Sequence, residues 1–330
     1  MRKLISQIYA RFRRGFLRGF LALISIPRPA AAGRWGRVLG RWGWALLRRE
    51  RQLAMQQLSH LDPAISPVTR RSLARSNFLH LGEVLMTGCS LSARSGGHPI
   101  LDDARRGILI ENREDFLERV SDLCQQGGVV GISAHLGAWE LAAATTGCAG
   151  YPVLAKRYPD PVEQGLVEGI RQRLGIRLIY QDQSLMRVIR HLKSREMVSM
   201  LVDLDIRAMD GVHVPLLGES AHTTAAPARL ALKTDSVLWP YFLIRGVGGR
   251  YRFEWEDPIR IDDLDSQLSE EERIMELTRK MNAAIERAIR RHPEQWVWMH
   301  RRWRSTPEVI RERKAREQAE LTGNGPTRGA

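Results

Sequence analysis

At 330 residues and 43% hydrophobic composition, the chain can bury a large core, which excludes a disordered protein. Its three cysteines, Cys89, Cys124 and Cys148, are odd in number, widely spaced and form no CxxC pair, which excludes a disulfide framework and a cysteine-based zinc site. Of the net charge of +14, nearly all sits in residues 1–60, where thirteen Lys/Arg face one acid, Glu50; the partner this implies is a polyanion or an anionic membrane surface.

Ile5, Ile8, Phe12, Phe16, Phe20 and Leu23 fall on one stripe at helical spacing, with Arg11, Arg14 and Arg18 opposite. This predicts a basic amphipathic helix lying in a bilayer interface. Its uninterrupted apolar part, Gly19 to Ile26, is far shorter than the roughly 20 residues of a spanning helix, and Pro27 and Pro29 end it. The next segment, Gly33 to Leu47, mixes Trp35, Trp42 and Trp44 with Arg34, Arg37 and Arg41 and is followed by Arg48 and Arg49, the composition of a membrane-interface belt. A solvated basic helix and a nucleic-acid surface are the alternatives, but no nucleic-acid-binding motif accompanies the charge.

The body then alternates. Ser66-Pro67 reads as an N-cap and first helical residue, opening a helix to about Thr87 that stops near Gly88. Ser92 to Gly97 is expected as a loop and Ile108 to Ile110 as a short strand. Glu114 to Gln126 is a helix, and Val129 to Ala134 is a buried strand, because it is a near-continuous apolar run bounded by glycine. Strands follow at 151–155, 176–180 and 197–202, with helices at 161–174 and 185–193 between them. Val237–Arg245 and Tyr251–Trp255 make a closing hairpin across Gly246–Gly249. Ser269 and Glu272 form a capping box, whose helix runs to about Arg291. The expected fold class is α/β: a mixed, largely parallel sheet flanked by helices. The expected organisation is a basic arm over 1–60, one domain over 61–305, and a charged helix with a frayed tail over 306–330.

A histidine followed five positions later by a carboxylate occurs three times, as His98/Asp103, His135/Glu140 and His191/Glu196. His98 lies in a Gly-rich loop before Pro99. His191 and Glu196 would point about 140° apart on a regular helix. Only His135 directly follows a buried strand, and sites in α/β sheets lie at strand carboxyl ends. There Glu140 can fold back from the first turn of the following helix, accept a hydrogen bond from one ring nitrogen and leave the other as a base. No serine or cysteine nucleophile accompanies the pair, and Gly-x-Ser-x-Gly is absent. A His–carboxylate dyad of this kind suits deprotonation of a substrate hydroxyl. The plain alternative is a buried, satisfied histidine beside a glutamate favoured by the helix dipole.

The stretch Gly128-Val-Val-Gly-Ile-Ser-Ala-His135-Leu-Gly-Ala-Trp-Glu140-Leu resembles the motif of the lipid A biosynthesis late acyltransferases (lauroyl and myristoyl transferases), of the lysophospholipid acyltransferase superfamily. Pro293-Glu-Gln-Trp296-Val-Trp298-Met-His300-Arg301-Arg302-Trp303 resembles their C-terminal signature. Glu83, Arg157, Arg171-Gln-Arg173-Leu-Gly175, Asp203, Leu216-Leu-Gly218 and Thr223 fit between or before them in order. The resemblance implies a lysophospholipid acyltransferase-like fold with a hydrophobic acyl groove and an N-terminal membrane-associated helix. It implies transfer of a fatty acyl group from an acyl-carrier-protein (or coenzyme A) thioester to a hydroxyl of a glycolipid such as a lipid A precursor. The place would be the cytoplasmic face of the bacterial inner membrane. His135 would be the base, Glu140 its partner, and Arg157, Arg171, Asp203 and Thr223 would bind substrate, with no cofactor, metal or nucleic acid. The chain departs from the family pattern at Ala138, Leu204, Leu216 and Leu217, and Ala138 and Leu204 are expected to flank the site.

Two other readings compete. Asp203-Leu-Asp205 resembles the Asp-x-Asp of metal-dependent glycosyltransferases, where two carboxylates hold a divalent ion. The other is a non-catalytic, membrane-binding protein that keeps the fold.

Overall fold

The computed structural model describes residues 19, 20, 22, 23, 25, 26, 29–94, 110–182, 185–205, 211–309 and 311. The stripe residues Ile5 to Phe16, the His98/Asp103 pair and most of the tail lie outside them. Among the described residues, no helix is long and apolar enough to cross a membrane.

The strands in chain order are β1 (Val129–Ser133), β2 (Val153–Ala155), β3 (Leu178–Tyr180), β4 (Met197–Leu201), β5 (Gly211–Leu216), β6 (Glu219–Thr224), β7 (Val237–Arg245) and β8 (Tyr251–Trp255). Six of them form one sheet in the order β3-β2-β4-β1-β7-β8, parallel except for the β7–β8 hairpin at its edge. The sheet is therefore mixed and largely parallel. The helices are α1 (Pro29–Leu46), α2 (Arg48–Gln57), α3 (Pro67–Arg94), α4 (Arg113–Gln126), α5 (Trp139–Cys148), α6 (Pro161–Arg173), α7 (Leu185–Lys193), α8 (Ala226–Thr234) and α9 (Glu270–Arg291).

β1 is buried at all five positions, because β4 and β7 flank it and each face is covered. Its alternate side chains enter two cores, as a strand's two-residue period requires. Val130 and Ile132 join the core that holds α7, α8 and α9 residues such as Leu192, Leu230 and Met281. Val129 joins the core of α4 and α5, where Phe116 stacks on Phe253 at 3.7 Å between ring centroids.

Local chemistry sets most boundaries. Ser66 Oγ accepts from the Thr69 amide at 3.1 Å at the start of α3, Asp160 caps α6 ahead of Pro161, and the capping box of Ser269 and Glu272 is formed. Two expectations are corrected, and one element is added. α3 does not stop at Gly88 but runs to Arg94. Leu91 and Ser92 are buried in this last turn, and Ser92 Oγ accepts from Arg173 Nε at 2.9 Å, so tertiary contacts override the glycine; residues 95–97 of the expected loop and 108–109 of the expected strand lie outside the described residues. His191 and Glu196 do not point apart: α7 ends at Lys193, Arg195 adopts φ +57°, and the reversed chain brings Glu196 onto His191 Nδ1. Residues 211–224 form an antiparallel hairpin, β5–β6, that no sequence pattern announced. Its two-residue turn places Leu217 at φ +52° and Gly218 at φ +79°, and Glu286 holds the strained Leu217 amide at 2.6 Å.

The basic segment 29–60 packs onto the body. α1 crosses α3 backbone to backbone. A Cβ on Gly40 would lie 2.3 Å from the Phe78 carbonyl oxygen, and one on Gly82 would lie 2.2 Å from that of Gly36, so only glycine permits this approach. Ala54 and Leu58 enter the main core.

Candidate active site

The β1–β4 register pairs Ser133 with Leu201. Two residues beyond these partners stand His135 and Asp203, side by side at the carboxyl ends of neighbouring parallel strands. Asp203 grips His135 twice: Oδ2 accepts the His135 backbone N–H at 2.9 Å and Oδ1 meets the imidazole Nδ1 at 2.8 Å. Oδ2 also accepts the Trp296 indole N–H at 2.8 Å. Asp203 is 2% exposed. Burial alone would raise its carboxyl pKa, but the imidazole charge and these donors override burial and hold it well below the usual carboxylate range. For the imidazole, burial pulls the pKa down, and Asp203 outweighs it, leaving the group above its ordinary value. With Nδ1 engaged, Nε2 is the ring nitrogen without a protein partner among the described residues. Trp139 and His300 flank the ring at centroid distances of 5.5 and 5.1 Å.

The turn that carries His135 is fixed from several sides. Gly137 has φ +63°, and a Cβ there would lie 2.1 Å from the Leu243 carbonyl oxygen. The segment 295–297 runs alongside: the Gly137 amide donates to Gln295, the Val297 amide donates to the His135 carbonyl at 3.0 Å, and Leu136 bridges Trp296. From α3, Asn77 donates to the Trp296 carbonyl at 2.6 Å. His80 Nε2 donates to the Gly137 carbonyl at 3.2 Å; burial pushes its pKa down to about 4, so it braces the turn as a neutral ring.

A cavity of about 390 Å³ opens beside His135. Its wall is mainly apolar, with Ala142 and Ala143 of α5, Leu154 of β2, Ile176, Leu178 of β3 and Met200 of β4. Tyr241, donating to Ser199 Oγ at 2.8 Å, also lines it. Glu140, Lys156, Arg157 and Arg171 are its charged lining.

Residues 14–305 match the family described as bacterial lipid A biosynthesis acyltransferase. The chain belongs to this family. It is 26% identical over 293 residues to the lipid A biosynthesis lauroyltransferase of Escherichia coli (strain K12), covering 87% of this chain and 90% of that protein. It is 22% identical over 267 residues to a lipid A biosynthesis acyltransferase of Haemophilus influenzae (strain ATCC 51907 / DSM 11121 / KW20 / Rd), covering 79% and 78%. The chain is thus a late acyltransferase, and the residues singled out by resemblance can be placed in it.

The carboxylate on the imidazole of this acyltransferase is Asp203. Glu140, expected there, lies in the first turn of α5 and faces α6, where Arg171 clamps it through two bonds of 3.1 and 2.6 Å. A planar guanidinium satisfies both carboxylate oxygens at once, while Asp203, in register beside His135, occupies Nδ1. Arg157, after β2, lines the cavity, bonds Asp182 at 2.8 Å and lies over the Tyr180 ring at 3.8 Å. Thr223 is not on the cavity wall: it is fully buried, bonded to Asn282 at 3.0 Å and to Arg302. Its neighbour Thr224 lines the cavity, as does Leu204. Ala138 is buried in the α4–α5 core rather than on the lining. Asp205 does not converge with Asp203: its two oxygens take the Ser305 hydroxyl and amide at 2.7 and 2.8 Å. Among the described residues, no three His, Cys, Asp or Glu side chains gather as a metal site.

Sequence reasoning missed Asp203 as the imidazole partner, and Trp296, His80 and Asn77 as supports. One signal for Asp203 was available. The apolar run 129–134 ends in histidine and the apolar run 197–202 ends in aspartate, so two parallel neighbours would align the pair.

Proposed function

We propose that this acyltransferase moves a fatty acyl group from a carrier-protein thioester to a hydroxyl of a glycolipid such as a lipid A precursor, at the cytoplasmic face of the bacterial inner membrane. His135 Nε2 takes the hydroxyl proton as the oxygen attacks the thioester carbonyl. Asp203 fixes the tautomer and stabilises the imidazolium that forms. The tetrahedral intermediate then expels the thiolate, which recovers the proton from His135. Arg171, held by Glu140, and Arg157 supply positive charge for an acceptor phosphate at the cavity mouth. The apolar cavity takes the acyl chain. The observation that carries the reading is a histidine with one nitrogen fixed by an ionised, buried aspartate, bordering an apolar cavity edged with arginine.

Mass spectrometry of the lipids of a deletion strain tests it. One glycolipid species should lack a single acyl chain, and the native gene but not its His135→Ala version should restore it. An unchanged lipid profile would sink the proposal.

A further inference from the structure

Among the described residues, α1 presents an unpartnered apolar stripe. Trp35, Trp42 and Leu46 stand seven and four positions apart, on one face of the helix, and are 58%, 66% and 75% exposed. Leu23, Ile26 and Leu47 add to the same region, so six of the fourteen large hydrophobic side chains exposed among the described residues lie within 23–47. The helix contains no acid, and Arg34 and Arg41 are exposed on it. Scattered exposed apolar residues need no explanation, but a concentration on one basic helix does.

From this geometry we infer that the Trp35–Trp42–Leu46 face of α1 is a bilayer seat. The indoles and the leucine enter the headgroup–acyl boundary of an anionic membrane, and Arg34 and Arg41 meet lipid phosphates. The charge complementarity and the tryptophan–arginine pairing select an anionic lipid surface over a protein partner. The seat is rigid with respect to the catalytic body, since α1 is locked to α3 through Gly36, Gly40 and Gly82, and α3 in turn braces the His135 turn through His80 and Asn77. Docking α1 therefore fixes how the cavity mouth meets the membrane. The inference deepens the proposed action on a membrane glycolipid, yet vesicle binding is measurable without any activity.

The test uses the full chain with residues 1–28 intact. Flotation with phosphatidylglycerol-containing and with pure phosphatidylcholine vesicles is compared for wild type and for Trp35→Ser/Trp42→Ser/Leu46→Ser. The triple variant should lose about tenfold or more of its partition to the anionic vesicles while keeping its thermal unfolding profile and its turnover on detergent-dispersed substrate. Arg34→Gln/Arg41→Gln, a milder change, should weaken the salt-sensitive part of the binding. Wild-type partition by both variants would overturn the seat and assign attachment to the preceding residues. Unchanged vesicle binding with loss of binding to a DNA oligonucleotide would overturn it in favour of a nucleic-acid surface.

Discussion

His135 and His191 share a sequence spacing and lie at opposite ends of the same sheet. At the carboxyl ends of the strands, the acid five positions after His135 binds an arginine, and the imidazole takes its partner from a different strand. At the other end, the acid five positions after His191 does bond the ring, in a half-exposed pair next to the start of β4. The local spacing makes a histidine–carboxylate pair away from the apolar cavity, and tertiary register makes one on its wall. Proximity in sequence sets which groups can meet; the strand end decides which meeting is useful.

Mutations can break this contrast. His135→Ala should cost the most, about 10²–10⁴-fold in kcat/KM with the fold retained; full activity in an acyl-transfer assay would remove the histidine from the chemistry. Asp203→Asn should come close to it, up to about 10⁴-fold, by leaving the ring free to adopt the wrong tautomer. It also carries a pH signature. The base works only when neutral, so activity rises with pH through the imidazole pKa, which Asp203 holds above its ordinary value. Without that charge the acid limb of the pH–rate profile should move to lower pH, and an unmoved limb would deny the electrostatic role.

Glu140→Gln should be milder, roughly tenfold, because it frees Arg171 rather than His135. If it matched the Asp203 variant in both rate and limb shift, Glu140 would have to act on the imidazole directly. Glu196→Gln, at the far end of the sheet, should leave activity unchanged and shift stability by less than about 1 kcal/mol, as expected of an exposed ion pair. A large activity loss there, with unfolding unchanged, would undo the contrast.

Much of the fold was legible because its signals are local. The runs at 129–134 and 197–202 are almost entirely apolar because both faces of their strands are covered, and the caps at Ser66 and Ser269 are written in residue type. His135 was legible for the same reason: it ends a buried strand. What was not legible depends on contacts distant in sequence. Asp203 meets His135 across 68 residues, and Thr223, expected to bind substrate, is instead bonded to Arg302 and Asn282 across 79 and 59 residues. The β5–β6 hairpin hid because its turn is built on Leu217, a residue that ordinarily avoids a left-handed backbone, stabilised there by Glu286.

The segment around Trp296 acts as a strap, tied to α2 by Gln57 on the Trp298 carbonyl and to α3 by Asn77, across 241 and 219 residues. Its indole completes the Asp203 carboxylate. During synthesis the strands, the cavity and the histidine all emerge before the group that locks the aspartate. The Asp203 carboxylate therefore acquires its indole donor only after every strand of the sheet has been made, so the order of translation places this lock last.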